Sequence, residues 1–106
     1  MRKDLENIIV KLRKEFPRLQ TQFKVSSLEI FGSFVRGEQK ENSDLDVLVT
    51  FSDPPSLFTF IELEDYLSNL LGIKVDLVMK SALKANIKQR ILSESLSINR
   101  KIGLNG

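Results

Sequence analysis

The stretch IFGSFVRGEQKENSDLDVLVTF, residues 30–51, decides how this chain folds. It opens on the end of a strand-like run, 25–31, turns at Gly32-Ser33, crosses a polar, turn-rich loop at 36–43, and enters a second strand at 44–51. That strand, DLDVLVTF, is rich in β-branched and aromatic residues and stops before Asp53-Pro54-Pro55. Side chains of a strand alternate, so Asp44, Asp46, Leu48 and Thr50 share one face, and Leu45, Val47, Val49 and Phe51 the other. Both carboxylates therefore leave the strand on the same side. Two like charges so placed repel, which is costly unless a cation lies between them or an exposed edge strand carries both into water. Gly32 lets the backbone approach a bulky anion, and the Ser33 hydroxyl and the amides after it can donate to phosphate oxygens. Gly-Ser is also an ordinary turn.

Working outward, the segment 73–79, IKVDLVM, reads as a third strand with Ile73, Val75, Leu77 and Met79 on one face and Lys74, Asp76 and Val78 on the other. An acid inside so apolar a strand needs a partner, either a metal ion or a cation such as Lys74 or Lys80. Between the second and third strands, Ser56 is placed to cap a helix carrying Phe58, Ile61, Leu67, Leu70 and Leu71, with Gly72 closing it. At the start, Leu5, Ile8, Ile9, Leu12 and Phe16 recur at helical spacing, with Asp4 and Glu6 early and Lys11, Arg13 and Lys14 late, as the helix dipole favours. Pro17 is expected to end that helix. At the other end, Leu83, Ile87, Ile91 and Leu92 predict a basic C-terminal helix over 81–98 packed across the sheet.

Composition removes whole classes of chemistry. The 106 residues contain neither cysteine nor histidine, so disulfides, thiolate zinc sites, Ser-His-Asp triads and histidine bases are excluded. Catalysis must then use carboxylates, hydroxyls, lysine, arginine or a hard cation, and carboxylate sites favour magnesium or manganese. A reducing cytoplasm is the expected setting, and no stretch of the length needed for a membrane span or the apolar core of a signal peptide is expected. With 42% apolar residues, one hydrophobic core and a single domain over 1–106 are expected. The net charge of +2 hides a segregation: residues 41–79 are acidic apart from Lys74, whereas Lys80, Lys84, Lys88, Arg90, Arg100 and Lys101 make the tail basic. That tail is a solvated helix face or a contact for an acidic partner, a phosphate or nucleic acid.

Taken together, strand, Gly-Ser, a ten-residue interval, Asp-x-Asp on a second strand and a lone Asp on a third resemble the polymerase β-like nucleotidyltransferase superfamily. The elements are IFGS at 30–33, SDLD at 43–46 and VDLV at 75–78, and the fuller wording around them is similar to the small branch called minimal nucleotidyltransferase, MNT. The tail ALKANIKQRILSES, 82–95, is similar too, although Ala85 stands where members of that branch often have proline. The resemblance implies an α/β nucleotidyltransferase fold: a small mixed sheet with helices on one face and an open catalytic face opposite. It implies that Asp44, Asp46 and Asp76 ligate two magnesium ions, or manganese, and that Asp76 also helps to deprotonate the acceptor. Gly32 and Ser33 would hold the β- and γ-phosphates of ATP, with Arg36 neutralising the triphosphate unless it pairs with Glu38 or Glu41 on the surface. Ser43 is better read as capping its turn than as touching substrate.

As to the acceptor, the resemblance implies a partner protein, a HEPN toxin with ribonuclease activity, whose tyrosine hydroxyl receives AMP from ATP, the chain acting as antitoxin. A non-catalytic module that masks its partner by contact is the rival. An RNA-binding or RNA-modifying protein ranks last, because the acidic middle opposes a nucleic-acid groove and Tyr66 is the one tyrosine among mostly apolar phenylalanines for base stacking.

Overall fold

The computed structural model describes residues 2–98. In chain order the elements are α1 (Arg2–Phe23), β1 (Val25–Phe31), α2 (Ser33–Arg36), β2 (Leu45–Phe51), α3 (Leu57–Leu71), β3 (Val75–Met79), a 3₁₀ turn (Lys80–Ala82), α4 (Ala85–Glu94) and β4 (Leu96–Ser97). The four strands form one mixed sheet in the order β3-β2-β1-β4, with β1 antiparallel to both β2 and β4 and β2 parallel to β3.

Two crossovers follow from that order. β2, β3 and β4 all run the same way, so β2-α3-β3 and β3-α4-β4 are both parallel connections, but they travel in opposite directions across the sheet. Because such connections are right-handed, α3 and α4 must lie on opposite faces. Burial agrees. The main core joins Leu5, Ile8, Leu12, Leu19 and Phe23 of α1 and Leu63 and Leu67 of α3 to the inward residues of β1, β2 and β3. Leu48 faces away from that cluster and is nonetheless 1% exposed, with the 3₁₀ turn packed on β2 and α4 on β1. The face expected to be open is thus covered along its far half and free only near the start of β2 and β3.

Several expectations are corrected. α1 does not end at Pro17 but continues through it for six more residues. Proline in a helix interior costs about 3 kcal/mol. Leu19 at 0% and Phe23 at 7% exposure offset that cost, since burying each large apolar side chain contributes about 1.5–3 kcal/mol. The Pro17 carbonyl also accepts the Thr21 hydroxyl at 3.0 Å. Where three strands are expected, the described residues hold four, because the chain leaves the helical run after Glu94 and pairs Leu96 and Ser97 with Ile30 and Glu29. The C-terminal helix accordingly spans 85–94 rather than 81–98, and Ile98 enters the core at 1% exposure. On α3, Leu63 and Leu67 are the buried residues, while Phe58 and Ile61, apolar residues of the same helix, are exposed. The caps hold as read: Ser56 Oγ accepts from the Thr59 amide, and Gly72 closes the helix in the left-handed conformation.

A bulge between Val25 and Ser27 changes the parity of β1. Val25 points into the core before it, and Leu28 and Ile30 after it, leaving Glu29 and Phe31 on the opposite face. That parity shift sets which side chains of β1 border the carboxylates.

Candidate active site

Register places the carboxylates. Asp46 of β2 stands opposite Phe31 of β1 on one side and opposite Asp76 of β3 on the other. Since directly opposed residues share a face, Phe31, Asp46 and Asp76 form one row at the uncovered end of the sheet. Asp44 precedes β2 by one residue and is half-buried beside them. Asp76 is exposed, and neither lysine that could have paired with it does so: Lys80 lies 3.5 Å from Glu29. Lys74 contributes its backbone carbonyl to the Leu45 amide at 2.8 Å.

Gly32 ends β1 against this row. Its backbone sits at φ 84° and ψ −153°, a region essentially reserved for glycine, and a Cβ there would lie 2.2 Å from Asp46 Oδ2. The turn after it closes on itself: the amides of Val35 and Arg36 donate to the Gly32 carbonyl at 3.1 and 3.2 Å, and Glu38 donates to Ser33 at 2.9 Å. Buried Phe34 pins the turn to the core, and Gly37 ends α2 at φ 73°. Ser33 is therefore held one residue beyond the point where the backbone meets Asp46. Ser43 takes the capping role, its hydroxyl accepting the Lys40 amide at 2.7 Å.

The electrostatics are those of a site short of positive charge. The Asp46 carboxyl is raised above the ordinary aspartate value, first by burial, then by the negative charges of Asp76 and Asp44, with Arg36 pulling it the other way. Arg36 donates to Glu38 Oε1 at 2.9 Å and Glu94 Oε2 at 3.3 Å, which raises its own value further. One of the surface pairings foreseen for Arg36 is thus made, with Glu38, while its second partner is Glu94 of α4. Its charge still reaches Asp46.

Among the described residues, no three acidic side chains stand gathered to grip an ion unaided. An all-oxygen pair, Asp46 and Asp76, with Asp44 alongside, nevertheless suits magnesium, which is bound through one or two carboxylates plus substrate phosphates and keeps part of its water. The crowding of negative charge at Asp46 is what a divalent cation would relieve. A cleft of about 400 Å³ bordered by Asp4, Ile8, Phe34, Gln39 and Ile73 contains none of the six expected site residues. The carboxylates line an open sheet end, which leaves room for a large polar substrate.

Five of the six expected residues, Gly32, Ser33, Asp44, Asp46 and Asp76, meet at this end of the sheet, and Arg36 borders them. Two neighbours escaped the sequence reading. Phe31 reads in the sequence only as strand, and it is the register of β1 on β2 that sets it beside the acid. Glu94 had no local signal, since 58 residues separate it from Arg36.

Residues 9–98 match the nucleotidyltransferase domain family. Over 91 residues the chain is 52% identical to the protein adenylyltransferase MntA of Thermococcus cleftensis, covering 86% of this chain and 89% of that protein. A solved structure assigned as a minimal nucleotidyltransferase superposes with a TM-score of 0.68 at 33% identity, covering 79% of this chain and 86% of the other. The fold is also shared with a chain in a complex of tri-AMPylated Shewanella oneidensis HEPN toxin with MNT antitoxin, at a TM-score of 0.59 and 20% identity, covering 81% and 67%.

Proposed function

From the premise that this chain belongs to the nucleotidyltransferase domain family, we propose that it is a protein adenylyltransferase that moves AMP from ATP onto a tyrosine hydroxyl of a HEPN toxin, and so acts as its antitoxin. The observation that carries this reading is the meeting of Gly32 with Asp46 in a row with Asp76, a backbone seat for phosphate against a cation-seeking carboxylate pair. The named activity of the relative at 52% identity supports protein as the acceptor, and the AMPylated toxin in the structural neighbour supports its class. The absence of cysteine suits a cytoplasmic setting.

In this reading Asp44 and Asp46 would hold magnesium with the triphosphate, and Asp76 would complete the set. The ions, when bound, supply Lewis-acid stabilisation of charge on the phosphates. Gly32 and Ser33 seat the β- and γ-phosphates through backbone amides and the Ser33 hydroxyl, and Arg36, released from Glu38 or Glu94, neutralises the pyrophosphate that leaves. The acceptor oxygen bonds to the α-phosphorus as the bond to the bridging oxygen breaks, and Asp76 takes the hydroxyl proton on its carboxylate. Burial and the negative charges of Asp76 and Asp44 raise the Asp46 carboxyl, a crowding that a cation would relieve, so metal and nucleotide are expected to bind together.

The test mixes the chain, magnesium, ATP and a HEPN partner and weighs the partner by mass spectrometry. A gain of one or more AMP units is expected; no gain overturns the proposal. Contact alone is the second reading, favoured by the exposure of Leu57 at 74% and Phe58 at 83%. Changing Asp44 and Asp46 to asparagine separates the two, because neutralisation that survives those changes is masking and not catalysis.

A further inference from the structure

β3 is an edge strand, and it carries Asp76. Its inner side pairs with β2, whereas an unprotected outer side would present free amides to solvent or to another chain. Here α3 supplies the missing partners. Glu64 Oε2 accepts the Leu77 amide at 2.9 Å, and Ser68 Oγ accepts the Val75 amide at 2.9 Å. Ser68 in turn donates to the Glu64 carbonyl at 2.9 Å, so its hydroxyl is oriented by the helix before it meets the strand. The two side chains are four residues apart, hence on one stripe of α3. They grip the two residues that flank Asp76.

We propose that Glu64 and Ser68 are positioning residues of the nucleotidyltransferase site, acting through the β3 backbone to hold Asp76 in register with Asp46. A strand bonded on one side only can slide or fray, and an Asp76 out of register no longer stands opposite Asp46. With these two outer amides tied to α3, the strand is fixed from two sides around Asp76. The other anchor of this region, the Lys74 carbonyl on the Leu45 amide, lies before Asp76 and leaves the outer edge untouched. A carboxylate on a neutral amide is also a stronger hold than a neutral pair. This inference rests on the reading of Asp76 as part of a magnesium-nucleotide site.

The experiment measures binding of a fluorescent ribose-substituted ATP to the full chain with magnesium, together with amide hydrogen exchange, well below the melting temperature. Glu64→Ala and Ser68→Ala are expected to speed exchange at Leu77 and Val75 respectively. Each should also weaken nucleotide binding about tenfold, as outer groups that orient metal ligands do. Glu64→Gln and Ser68→Thr keep an acceptor oxygen and should restore both. Glu62→Ala, on an exposed position of the same helix, should change neither. If the alanine variants bind nucleotide like the unaltered chain, or lose melting temperature alone, the two residues are only structural and the inference falls. If the unaltered chain itself binds no magnesium-ATP, the functional reading fails first and the inference with it. Where the alanine variants do not fold, Glu64→Gln beside Glu64→Asp decides: equal nucleotide binding by both, despite the shorter reach of aspartate, overturns the positioning role.

Discussion

Gly32→Ala is the most informative single change, because its cost divides into two parts with different consequences. The first is conformational. At φ 84° and ψ −153° an alanine is strained by about 1–3 kcal/mol wherever its side chain points. For a domain of this size each kcal/mol lowers the melting temperature by roughly 4–8 °C. The second is steric. The new Cβ would lie 2.2 Å from Asp46 Oδ2, 3.1 Å from its Cγ and 3.3 Å from its Cβ. The other two contacts call for a shift of a few tenths of an ångström, but the Asp46 Oδ2 itself has to move by roughly 1 Å to reach ordinary separation. Misplacement of a reacting constellation by that distance can cost about 10²-fold in rate. The expected result is a folded protein with a lower melting temperature and AMP transfer reduced on that scale. A double-mutant cycle assigns the parts: introduced into Asp46→Ala, the glycine change meets no carboxylate, so its stability cost should shrink toward the conformational part, with only the 3.3 Å contact to the Cβ at 46 left beside it. Calorimetry or thermal denaturation by circular dichroism reads stability, and mass spectrometry of the partner reads activity. A Gly32→Ala protein with unchanged melting temperature and full transfer would refute the contact and the role given to it.

Other expectations follow from the same geometry. Asp46→Asn removes a like charge facing Asp76 and should stabilise the metal-free protein by about 0.2–1 kcal/mol while reducing transfer by at least about 10²-fold, seen as a higher melting point with loss of partner AMPylation. The raised Asp46 value means that the folded chain holds this proton more tightly than the unfolded one. Stability without metal is then full below the ordinary aspartate range and declines as pH rises through the raised folded value, and magnesium-ATP should reverse the loss at neutral pH; a pH series of melting curves with and without ligand checks both. Pro17→Ala restores a helical donor in α1 and should raise stability by up to about 3 kcal/mol with activity unchanged, measured by urea unfolding. Ser56→Ala should cost about 1 kcal/mol through the lost cap of α3 and leave nucleotide binding alone.

Local chemistry in the sequence determined much of this protein: the strand after the loop, the facing of Asp44 and Asp46, the acid within the third strand, and the caps at Ser56 and Gly72. These are readable because alternation, capping and turn preferences act over a few residues. Where expectation failed or was silent, the deciding contact lay far along the chain. Pro17 stays inside α1 because Leu19 and Phe23 find a core made by other segments. Phe58 faces solvent because tertiary packing chose Leu63 and Leu67 for the buried side of α3. β4 exists because Ile30 and Glu29 offer an edge to a two-residue segment too short to announce itself. Likewise the sequence could place an acid on each of two strands, but only parallel pairing in one register sets Asp46 against Asp76, and only the backbone of Gly32 arriving from β1 closes the site. Residue type and spacing determine which chemistry is possible, while pairing and burial, which depend on distant parts of the chain, decide where it is assembled.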